Sequence, residues 1–210
     1  MKGDAVEQRA RFWAQVAAFG ALWGALEITI GSFLHALRLP LAGAVLAGLG
    51  AAILVAQRQL LPRRGASLAT GAVAALCKSI SPGGIILGPM VGILAEALAV
   101  ELILLAAPRS IWIAPLAGAM AAVTTLVHQV FSLWFYYGGS AIDLLQRALD
   151  GAGAALGLAP DAGWWAVAAL AATIALLGAA GGMLGWWLGR DAQRLLAGRQ
   201  RARIEVADGC

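Results

Sequence analysis

Stretches of almost unbroken apolar residues divide the chain at about residues 12–34, 39–56, 66–80, 83–106, 111–136 and 164–188, with ends set to within about 2–4 residues. Most are long enough, at about 18–25 residues, to cross a bilayer as a helix, and none carries the polar stripe of a soluble amphipathic helix. The third is the exception. About 15 helical residues reach only about 22 Å, so it is expected to tilt at a thin place or to be partly re-entrant. The pattern therefore predicts an all-α membrane protein, a single domain built as a bundle of six transmembrane helices. Between the fifth and sixth spans, the segment 138–163 is long. Ala141, Leu145 and Leu149 share one helical face there, which predicts a short helix lying on the outer surface or over a cavity.

Composition agrees. Hydrophobic residues make up 61% of the 210 positions and charged residues 12%, with a mean hydropathy of +0.81. A soluble domain of this size has no way to bury so much apolar surface. The net charge of +4 does not point to nucleic acid, because the basic residues flank apolar spans and form no aromatic-interleaved groove. Lys2, Arg9, Arg11, Arg58, Arg63, Arg64, Arg109 and the arginines from Arg190 onward all fall on one side of a six-span chain. Arg38, Lys78 and Arg147 fall towards the other. The positive-inside rule then places both termini, with basic tails at 1–11 and 189–210, in the cytoplasm. Trp164 and Trp165 stand about 33 Å along the last helix from Trp186 and Trp187, the spacing of two interfacial aromatic belts. Cys77 and Cys210 form neither a C-x-x-C site nor a disulfide framework, and no metal or cofactor is expected.

Five ionisable residues interrupt the apolar spans: Glu27, Lys78, Glu96, Glu101 and His128. A charge at bilayer depth costs at least about 2.5–3.5 kcal/mol, so these groups face protein or a wet cavity. Small-residue stripes supply the direction. Gly20, Gly24, Glu27 and Gly31 share one face of the first helix, and Gly88, Gly92 and Glu96 one face of the fourth. A further stripe, Gly178, Gly182, Gly185 and Gly189, marks the sixth. Such faces pack helix against helix in lipid, which turns Glu27 and Glu96 inward. By depth, Lys78 and the pair His128–Gln129 belong to the same outer half. These groups either share an outward-facing cavity or form structural pairs, Lys78 with Glu27 or Glu96. Glu101 lies deeper and is turned about 140° from Glu96, away from that cavity. It is expected to snorkel, to pair with a cytoplasmic-side arginine, or to face another protein.

Ser81, Pro82, Gly83 and Gly84 read as the start of the fourth helix, with Ser81 as N-cap and Pro82 at the first turn. This is either an ordinary capped turn or, with Lys78 beside it, a receptor for an anionic group on a ligand. The candidate solute-binding residues are thus Glu27, Lys78, Gly83, Gly84, Glu96 and His128.

In size, span number and the cytoplasmic placement of both ends, the stretch from about Phe12 to Leu188 resembles the substrate-binding S component of an energy-coupling-factor (ECF) transporter. Ala17, Ala21 and Ala25 in the first helix are similar to the family's alanine-x-x-x-alanine docking motif, and the run Ser81 to Gly92 to its glycine-proline segments. The resemblance implies a multi-pass protein of a bacterial cytoplasmic (inner) membrane that captures a vitamin-like solute from outside. It implies partners too: a transmembrane coupling subunit that docks at Ala17, Ala21 and Ala25, and separate ATPase subunits, since this chain has no phosphate-binding G-x-x-x-x-G-K-[ST] loop. The alternative is a self-sufficient small transporter or channel using intramembrane carboxylates. No H-E-x-x-H or G-x-S-x-G motif stands in the chain, no catalytic residue is assigned, and an enzyme is not expected.

Overall fold

The computed structural model describes residues 2–37, 41–80, 87–138 and 162–208, together with 140, 143 and 147. Gly83, Gly84, the capped turn around them, and nearly all of the expected outer helix at 141–149 lie outside these residues. The described residues form six helices and no strand: α1 (Lys2–Ala36), α2 (Ala42–Leu60), α3 (Ala66–Ser79), α4 (Leu87–Leu104), α5 (Ile113–Tyr137) and α6 (Ala162–Asp208). Five of them, all but α3, are long and apolar enough to cross a membrane. The 14 residues of α3 span about 21 Å, short of the roughly 30 Å of a hydrocarbon core.

α2 is the axis. It touches every other helix, while α1, α3, α4, α5 and α6 follow one another around it, each packed on the next. α1 and α6 make no contact, and α2 fills the space between them. This explains the sequence of α2, whose small and aliphatic residues continue on all sides: a helix covered all round needs no polar face.

Glycine sets how closely the helices approach. A side-chain carbon at Gly178 would collide with the backbone of Gly118 on α5, and one at Gly182 with the carbonyl of Ala114. One at Gly181 would strike Gly48 of α2, and one at Gly185 would strike Ala52. The expected glycine stripe of α6 is therefore two seams. Gly178 and Gly182 belong to α5, whereas Gly185 and Gly189, with Gly181, belong to α2. On the other flank a methyl at Gly20 would lie 2.9 Å from the Thr70 carbonyl oxygen, so α1 and α3 are in backbone contact. Trp23, 1% exposed, packs its ring against Gly50, where any side-chain carbon would sit 2.8 Å from the indole.

The helices outrun the apolar spans. α1 begins at Lys2 and α6 runs 47 residues to Asp208, so the basic segments expected as tails are helical continuations of the spans. Side chains near these extensions lace the basic end together. Arg63 stacks on Phe12, Arg190 on Trp186, and Gln193 donates to the Gln59 carbonyl. Trp165 and Trp187 are exposed as an aromatic belt requires, but Trp186 is not. It is turned inward and donates its indole N–H to the Arg109 carbonyl at 3.1 Å. Trp186 thus ties α6 to the turn before α5, a role that a polar partner for the buried N–H demands.

Candidate functional site

At the end of the bundle away from these arginines, α1 to α5 line an open cavity of about 270 Å³. It receives Glu27 from α1, Lys78 from α3, Glu96 from α4, and Thr125, His128 and Gln129 from α5. Gly43 and Leu46 of α2 contribute its apolar wall, and Gly88, Pro89 and Gly92 open its α4 side. Four of the six residues expected in a solute site, Glu27, Lys78, Glu96 and His128, are thereby brought together from four helices. The other two, Gly83 and Gly84, lie outside the described residues.

Each side chain is delivered by its place on its helix. Lys78 stands in the last turn of α3, where an ammonium group also complements the helix dipole. It donates to the backbone carbonyl of Glu27 at 2.9 Å and lies 3.9 Å from the Glu27 carboxylate. Of the alternatives open from the sequence, the ion pair with Glu27 is the one observed. Gly31 lies beside this pair: a methyl there would be 3.6 Å from both Lys78 Nζ and Glu27 Oε2.

Glu96 is held differently. The residue is 7% exposed and stands on the cavity wall, yet its Oε2 has no hydrogen-bond partner among the described residues. One turn before it, Gly92 leaves a gap, since a methyl there would meet nothing nearer than His128 Nδ1 at 4.0 Å. The α4 stripe expected to pack against a neighbouring helix instead keeps this side of the cavity open. Thr125, three residues before His128 and on the same helical face, was not singled out from the sequence. That i, i+3 spacing from His128 is the signal that identifies it. Its hydroxyl donates to the Ala122 carbonyl at 2.7 Å, which leaves its lone pairs for the cavity.

Glu101 takes no part in the cavity. It sits at the basic end with its carboxylate 3.6 Å from the Arg58 guanidinium, one of the arrangements open from the sequence. Both groups are buried, and Arg58 also donates to the Arg63 carbonyl. Among the described residues, the buried Nε of Arg58 and, on α2 and α3, Oε1 of Gln57 and Oγ of Ser67 lack partners.

Ala17, Ala21 and Ala25 lie on the outer face of α1 and are exposed, with Leu22 beside them at 50%. No other helix among the described residues covers this stripe. Among the described residues no three of His, Cys, Asp or Glu converge to hold a metal ion. No family model, curated protein or solved structure matches this chain.

Proposed function

We propose that this chain is the membrane-embedded solute-binding subunit of an ECF-type uptake transporter. It captures a small vitamin-like molecule from the non-cytoplasmic side and docks on a transmembrane coupling subunit powered by separate ATPases. The observation that carries this reading is the cavity, in which two carboxylates, an ammonium, an imidazole and an amide converge from helices otherwise suited to hydrocarbon. Intramembrane groups of this kind mark solute or ion paths. A structural ion pair alone needs no 270 Å³ of space beside it.

Orientation supports the direction of capture. With the arginine-rich end in the cytoplasm of a bacterial cell, the cavity lies in the outer half of the bilayer. α3 then makes the sixth crossing. It stops short because its last turn ends at the cavity, where protein and water replace lipid. The uncovered alanine stripe on α1 supports docking, because small side chains let a partner helix approach its backbone.

Two measurements test the reading. Gentle purification followed by native mass spectrometry is expected to find a small organic molecule retained by the protein. Uptake into cells is expected to require ATP and a co-expressed coupling module. Solute movement through liposomes carrying this chain alone would replace the reading with that of a self-sufficient transporter.

A further inference from the structure

The chemistry of the cavity is unbalanced. Its ammonium group, Lys78, is already engaged twice by Glu27, at the backbone carbonyl and at the carboxylate. Glu96 has no comparable partner among the described residues: it lines the cavity, and its Oε2, buried beneath that wall, has no donor. Thr125 spends its proton on Ala122 and offers only lone pairs. His128 and Gln129 each bring a donor and an acceptor, so they leave the excess of acceptors unchanged. With both carboxylates ionised and Lys78 protonated, the described side chains lining the cavity carry two negative charges and one positive. A second buried carboxylate beside the first is costly to ionise, and a ligand of opposite charge removes that cost.

Resting on the solute-binding reading above, we propose that the solute carries a cationic, N–H-bearing head, of amine or amidine type, which docks on the Glu96 carboxylate. The head occupies the gap that Gly92 leaves between Glu96 and His128. A charge-assisted N–H···O bond to the carboxylate where it lines the cavity, with the ligand's positive charge, balances the second acid. The notion of an anionic group held by Lys78 fits less well, because a new anion would compete with Glu27 and face a second carboxylate. Size narrows the class further. A volume of about 270 Å³ lies just below the roughly 300–1,000 Å³ typical of ligand sites, enough to hold one ring.

Three probes of equal shape separate the possibilities: benzamidinium, benzamide and benzoate, each titrated calorimetrically into the full chain in lipid nanodiscs. Benzamidinium is expected to bind at least about tenfold more tightly than either of the others. Glu96→Gln is expected to remove that preference, and an unfolding temperature within a few degrees of the unaltered chain shows that the variant is folded. Gly92→Val, which fills the gap, is expected to weaken all three. A preference for benzoate, equal binding of benzamide and benzamidinium, or an unaltered preference in Glu96→Gln overturns the proposed head group. Binding of none of the probes overturns it as well. The molecule retained on purification, identified independently, decides separately whether the chain binds a solute at all.

Discussion

The Glu101 carboxylate on α4 accepts the backbone N–H of Gly65 at 2.7 Å, and so caps a helix to which it does not belong. Gly65 occupies the N-cap position of α3 at φ 80° and has no side chain to offer the orphan N–H groups of the first turn. Glu101 supplies the acceptor from across the interface, bonding Ser67 N–H at 3.0 Å with its second oxygen. Its negative charge also suits the positive end of the α3 dipole. Arg58, at 3.6 Å, balances that charge in a site closed to water.

This arrangement fixes a stability prediction. Glu101→Ala removes the cap and leaves the Arg58 guanidinium buried without a counter-charge, at a cost of about 3–5 kcal/mol. Replacing both residues, as in Arg58→Met with Glu101→Leu, is expected to recover a large part of the loss. Reversible unfolding in mixed detergent micelles measures both. A double variant no more stable than Glu101→Ala would show that the backbone cap, not the ion pair, dominates.

Glycine positions that look alike in the sequence are expected to respond in opposite ways. Gly182→Ala drives a methyl into the Ala114 carbonyl, where backbone on both sides prevents relief. Overpacking of this kind costs about 1–3 kcal/mol and should separate α5 from α6. Gly92→Ala points its methyl into open space and should leave unfolding unchanged within about 0.5 kcal/mol. Equal destabilisation by the two substitutions would mean that the gap at Gly92 closes in the membrane.

At the cavity, Lys78 and Glu27 are expected to behave as a coupled pair. Lys78→Met removes the ammonium beside a largely buried carboxylate, and Glu27→Gln removes the negative charge beside Lys78. The two together should cost less than the sum of the single changes, with a coupling of about 0.5–3 kcal/mol in a double-mutant cycle. Simple additivity would place the two charges outside each other's reach.

How far the sequence carried this picture depended on whether the relevant signal was local. Glu27 and Glu96 were legible because glycines at helical spacing marked the faces they occupy, and Lys78 and His128 because depth along a span follows from counting residues. Trp186 and Trp187 illustrate the limit. They are neighbours in the chain, and only the position of the Arg109 carbonyl decides which of them turns inward. Glu101 capping Gly65 joins residues 36 positions apart, beyond any periodicity. The long end of α6 escaped notice for another reason. Hydropathy falls after Leu188, yet the following Arg, Gln, Leu and Ala are good helix formers and continue the helix into water.

The outer face of α1 gives the last prediction, and it separates docking from capture. Ala17, Ala21 and Ala25 are exposed and bury nothing within the chain, so a bulky residue at Ala21 meets no intramolecular obstacle. Ala21→Trp is therefore expected to leave thermal stability and solute retention unchanged. It should, however, keep a partner helix from the close approach that small residues permit, and reduce co-purification with a coupling subunit at least about tenfold. Pull-down of the tagged chain from membranes co-expressing that subunit, with native mass spectrometry of the retained solute, reads both quantities from one sample. Undiminished co-purification would move the docking face elsewhere, for which the exposed Leu195 and Leu196 of the α6 extension are the next surface to vary. Loss of solute together with docking would instead tie the α1 face to the cavity through Glu27, which lies on the same helix half a turn beyond Ala25.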